Sequence, residues 1–264
     1  MNSIHWSFDY NTGTNKPDYQ NELFEIIKNY QIHLPLVEMD THATKYTKHV
    51  YKILPNYWRG YSGNSKSTTK LSIGTVSIER MKNKDYWDYE VNYTNDTSGE
   101  DIHLKFSCEN TKYRPLLNTW QGSVRNSCQD AYSHIEFGGK ILDENEVRIC
   151  INDIDISLII PDKTVPITCN WTLFDVIPLL SNQIVTNEEN VEIVLLEDLE
   201  QIRANNKIGY LNSIQSPISL DGFFLHGIGL LPSYWWIDKM KTTVIVSNFF
   251  ESYILKEIIV ETDG

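Results

Sequence analysis

The chain has 264 residues, 41% of them hydrophobic and 22% charged, which allows a full core and excludes a disordered chain. Against 23 basic residues stand 35 acidic ones, and a net charge of −12 argues against nucleic acid or an anionic membrane as main partner. No run approaches the ~20 apolar residues that cross a bilayer. Met1 to Trp6 lacks the basic start and apolar run of a secretory signal, so the expected compartment is the cytoplasm.

A helix is expected over about residues 19–30, with Pro17 and Asp18 before it and Leu23, Ile26, Ile27 and Tyr30 at helical spacing. From Thr44 to Leu54 the chain turns strand-like. Further strands are expected at Leu71–Met81, Tyr86–Tyr93, Ile102–Cys108, Gln121–Asn126, Ala131–Phe137, Val147–Ile151 and Ile154–Ile160. Turn clusters separate them, among them Asn83-Lys84-Asp85, Gly138-Gly139 and Asn152-Asp153. Alternation is clearest where Ile102, Leu104, Phe106 and Cys108 interleave with His103, Lys105 and Ser107, as in an antiparallel sheet with one wet face. A second helix is expected from Trp171, capped by Asn170 and kinked or ended at Pro178. A strand at Val191–Leu196, a short helix near Glu197–Ala204, and strands around Phe223–Gly227, Thr242–Ser247 and Glu251–Val260 complete the chain.

Short strands at regular spacing predict a mostly β fold, an antiparallel β-barrel or strongly curved sheet of calycin-like architecture, with two or three peripheral helices. One compact domain over 1–264 is the simplest organisation. The alternative is two similar β lobes, about 1–165 and 166–264, suggested by the echo of Leu54-Pro55-Asn56-Tyr57-Trp58 in Leu231-Pro232-Ser233-Tyr234-Trp235.

Little in the sequence points to a reaction. Cys108, Cys128, Cys150 and Cys169 lie too far apart for a zinc knuckle or a redox pair and read as reduced thiols. Gly-x-Ser-x-Gly, Walker and dinucleotide loops are absent, so no cofactor is expected. In an extended segment Asp40, His42 and Tyr46 share a face, and they are the candidate proton-transfer set. His42 and His49, seven residues apart, fall on opposite faces of a strand, so no metal site is expected.

The chain is rich in aromatics, with 7 Trp, 15 Tyr and 9 Phe. Tyr57, Trp58 and Arg59, with Tyr234, Trp235, Trp236 and Asp238, combine flat surfaces with ionisable groups, and Arg59 and Arg125 could each grip a carboxylate. His226, beside Gly227, joins these ligand-binding candidates. Adjacent Trp235 and Trp236 must point opposite ways if extended, which places one at a pocket or an interface. The expected function is a lipocalin-like barrel binding a hydrophobic or conjugated small molecule, as a carrier or as a cofactor-independent isomerase, cyclase or hydratase. A non-catalytic interaction or inhibitor protein with an aromatic surface patch is the alternative.

Overall fold

The computed structural model describes residues 44–55, 72–127, 133–143, 146–160, 164–215, 218–248 and 250–262. The expected helix over 19–30 lies outside them. Among the described residues, fifteen strands make one sheet. The first eight are β1 (Thr44–Pro55), β2 (Gly74–Lys82), β3 (Tyr86–Asn95), β4 (Glu100–Glu109), β5 (Leu116–Asn126), β6 (Ser133–Asp143), β7 (Glu146–Ile151) and β8 (Ile154–Ile159). The other seven are β9 (Ile167–Cys169), β10 (Val191–Glu197), β11 (Gln201–Ile214), β12 (Leu220–Gly227), β13 (Leu230–Ile237), β14 (Thr243–Ser247) and β15 (Glu251–Thr262). β1–β8 and β10–β15 are antiparallel meanders, β1 joins β15 antiparallel in the middle, and β9 adds parallel to β10 at one edge. The sheet edges are β8 and β9, which do not pair with each other, so it is a large curl rather than a barrel closed by hydrogen bonds.

Alternation divides the strands into an inner and an outer face. Thr47, Arg80, Tyr89, Phe106, Trp120, Gly139 and Ile149 lie in register across seven strands on the inner side. One residue on, Lys48, Glu79, Glu90 and Lys105 cross the outer side, with Lys48–Glu79 at 2.7 Å and Lys105–Glu90 at 3.3 Å. The pair Gly138-Gly139 does not turn the chain; it sits within β6. The Trp120 indole lies where a side chain at 139 would be, 2.4 Å from an ideal Cβ. Glycine here admits a neighbour and breaks no strand.

The inner face is filled by α1 (Leu173–Asn187), entered through a 3-10 turn at Asn170–Thr172. Among the described residues this is the one α-helix, and it is a plug inside the curl where peripheral helices were expected. Trp171, Phe174, Ile177, Leu180 and Ile184 join inner-face residues of both meanders in one cluster. Phe174 packs against Tyr51, Trp235 and Tyr253, with ring centroids 4.8, 5.0 and 6.3 Å away. Two hydrogen bonds tie the β5 side to the far edge: Trp120 Nε1 donates to the Leu199 carbonyl at 3.1 Å and Thr168 Oγ1 to that of Arg114 at 2.8 Å.

Three local expectations are corrected. Pro178 does not end α1. It cannot donate to the Phe174 carbonyl four residues back, but Thr243 Oγ1 does so instead at 2.8 Å. Asn170 does not cap the helix; its side chain donates to Asp198 Oδ1 and accepts from the Asp198 amide, both at 2.9 Å. The stretch 197–204 is a hairpin and no helix, because Asp198 and Leu199 both adopt positive φ, as a type I′ turn requires. Asn152 and Asp153 adopt the same turn where one was expected. The segment Leu231–Trp235 lies within β13, which a turn joins to β14.

Candidate functional site

At one mouth of the curl, between β1–β3 and the first half of α1, lies a recess of about 630 Å³. Its apolar wall is Trp87, Pro178, Leu179 and Met240, and its polar lining includes His49, Arg80, Lys82, Arg114, Asp175 and Lys241. Strand parity explains the unusual member. Arg80 is in phase with Val76 and Ile78, so the sheet turns a guanidinium into its own interior, only 4% exposed.

Asp175, in the first turn of α1, receives it. Arg80 Nε and the Tyr89 hydroxyl each donate to Asp175 Oδ2 at 2.7 Å. Burial alone would raise this carboxyl, but Arg80 and Arg114 hold it below the usual carboxylate range, and the helix N-terminus favours the same charge. Asp175 in turn keeps Arg80 firmly protonated despite burial. Arg114, at positive φ in the turn before β5, donates through Nη1 to Asn110 Oδ1 at 2.9 Å, its guanidinium carbon 4.8 Å from the Trp87 ring centroid. Lys82 approaches the same ring at 5.7 Å, and Lys241 Nζ donates to Ser181 Oγ at 2.9 Å.

His49 sits beside this network, and burial with the nearby Arg80 charge lowers its pKa to about 3. The folded protein therefore keeps His49 neutral where the unfolded chain takes up a proton. Between about pH 6.5 and pH 3 the unfolded state binds one more proton, so stability falls as pH falls through that window. His49→Leu should remove about 1.4 kcal/mol per pH unit from the slope between pH 6 and 4. Urea titrations across that range measure it, and an unchanged slope would show that His49 titrates freely in the folded state.

Several residues singled out in the sequence lie elsewhere. Asp40, His42, Tyr57, Trp58 and Arg59 are outside the described residues. Tyr46 is on the outer face, donating to Glu79 Oε2 at 2.9 Å, and burial together with Glu79 pushes its pKa up to about 12. Arg125 is exposed on that face between Asp101 of β4 and His134 of β6. His226 stacks on Phe224 at 5.2 Å, its pKa lowered by burial and Lys207.

Trp235 and Trp236 do point opposite ways, but neither reaches a pocket or surface. Trp235 belongs to the interior, and Trp236 to a second buried cluster on the other face, with Phe224, Tyr234 and Ile245. Asp238 shapes the β13–β14 hairpin by accepting from the Thr242 amide at 2.8 Å, and burial raises its carboxyl. Cys108 and Cys169 are free and buried, their thiols pushed well above the ordinary range by that burial. Arg80 could have been found from parity, since a charge in phase with Val76 and Ile78 must face inward.

Fold and site thus describe a curled, almost wholly antiparallel sheet plugged by a helix, with a cationic recess left at one end. No family model matches the chain, and no curated protein does. Among solved structures it is similar to a β-barrel-like protein of domain of unknown function DUF1849 from Brucella abortus. The two share 7% identity with a TM-score of 0.51, over 83% of this chain and 98% of that one. This likeness concerns the fold alone. Among the described residues no helix is long and apolar enough to cross a membrane, and no group of His, Cys, Asp and Glu could hold a metal ion.

Proposed function

We propose that the protein binds a small molecule with a flat or apolar body in the mouth recess. The observation that carries this is the recess: about 630 Å³, apolar along Trp87, Pro178, Leu179 and Met240, with ionisable groups converging on it. The expected hydrophobic ligand thereby moves from the centre of the curl, where Trp171 and Phe174 are packed, to its end. A carrier role fits this geometry better than proton transfer. Of the candidate set Asp40, His42 and Tyr46, the Tyr46 hydroxyl is engaged by Glu79 on the outer face.

Titration with the neutral fluorescent probe N-phenyl-1-naphthylamine tests the reading. Saturable binding at one site is expected, and Leu179→Trp should weaken it at least tenfold without changing Tm, because Leu179 is a half-exposed wall residue. Absence of saturable binding, or indifference to the substitution, would discard the reading. It would favour the interaction role, for which Ile154, Ile156 and Ile159, exposed along the edge strand β8, offer an apolar surface.

A further inference from the structure

We infer that the recess recognises the anionic group of its ligand, a carboxylate or a phosphate, through the guanidinium groups of Arg80 and Arg114. The inference rests on the binding reading above and adds the ligand's charge. Four cations, Arg80, Lys82, Arg114 and Lys241, line the recess against one carboxylate, Asp175, in a chain whose net charge is −12. A local excess of this sign, set against the charge of the whole, is what an anion site requires.

The hydrogen-bond inventory points the same way. Arg80 gives Nε to Asp175 and Nη1 to the Ile78 carbonyl at 3.3 Å, which leaves Nη2 buried without a partner. Arg114 gives Nη1 to Asn110, and its Nε is likewise buried without a partner. Both residues are more than nine-tenths buried. Native proteins seldom leave buried donors unmatched, and here two guanidinium groups do so on one recess. An oxyanion supplies several acceptor oxygens in the geometry that guanidinium groups favour.

His49 contributes differently. The Tyr51 hydroxyl gives its proton to the Thr243 carbonyl at 3.0 Å, so in the 3.4 Å contact with Tyr51 the imidazole donates from Nδ1. Its Nε2, also without a partner, is then an acceptor and not a third anion donor.

The experiment compares three naphthalene probes by calorimetric titration of the full chain: 2-naphthoate, 2-naphthyl phosphate and the neutral 2-naphthamide. Both anions, or one of them, should bind at least tenfold more tightly than the amide, with affinity falling as salt is raised. The tighter anion identifies the carboxylate or phosphate source. Arg114→Gln should abolish that preference, bringing the anions to within twofold of the amide. Should this variant fail to fold, Arg80→Lys keeps the charge but removes the planar donors, and it should lower anion affinity at least tenfold. Equal binding of all three probes, still blocked by Leu179→Trp, would overturn the anion inference and leave the binding reading standing. No binding of any probe would overturn both.

Discussion

Replacing Asp175 by asparagine should cost about 3–5 kcal/mol of folding stability, the range for removing one partner of a buried ion pair. The reason lies less in the lost attraction than in what stays behind. Arg80 is fixed by strand parity on the inner face, and in the variant its charge would stand in a buried setting with no carboxylate. Tyr89 would also lose its ionised acceptor. For a chain of this length the expected fall in Tm is on the order of 10 °C. The companion variant, Arg80→Met with Asp175→Leu, removes both charges and should lose far less, because apolar replacement of a buried pair is often close to neutral. Denaturant unfolding of both, with each single variant, closes a double-mutant cycle. A loss below 1 kcal/mol for Asp175→Asn would mean that water reaches Arg80 freely.

The stability of this pair and the proposed binding in the recess are linked. A guanidinium spending one face on Asp175 and keeping Nη2 unmatched is held in place in advance, so under the proposed anion recognition binding need not order it. Asp175 is in this sense a positioning residue for the recess. It also sets a limit, because its carboxylate already answers part of the cationic charge.

Much of the sheet was legible because strands such as β2, β3, β4 and β7 have one wetter face and one dry one, and alternation such as Ile102 to Cys108 is then visible in the residues themselves. In the second meander that signal disappears. Strand β14 is buried at every position and β13 at most, since Trp235 and Val246 face the interior while Trp236 and Ile245 face a second cluster. A run of apolar residues then carries no parity, and Trp236 resembled a pocket residue though it is fully buried. Strand β11 was masked by its polar stretch Arg203 to Lys207, which reads poorly as a strand without knowledge of the hairpin at Asp198-Leu199.

The site was half legible. Arg80 shares the phase of Val76 and Ile78, but its partner Asp175 comes 95 residues later on another kind of element, and no local pattern joins them. Arg114 gives no signal at all, because its place depends on a left-handed turn before β5.

The second large effect concerns the plug. Phe174→Ala should destabilise the fold by about 3–5 kcal/mol, through lost burial and the cavity left where the ring met Tyr51, Trp171, Trp235 and Tyr253. These aromatics come from β1, β13, β15 and the turn before α1, so they cannot all collapse into the gap without moving the sheet. The resulting cavity would be apolar, lined by ring faces and edges, and such engineered cavities stay dry and accept small apolar molecules. With Leu179→Trp blocking the mouth recess in both backgrounds, benzene or indole should therefore raise the Tm of the Phe174→Ala variant and leave the protein with Phe174 intact unchanged. That pair of measurements separates a packed interior from an open one. If indole stabilised both recess-blocked proteins equally, the centre of the curl would already hold a guest, and the ligand would belong there and not at the mouth.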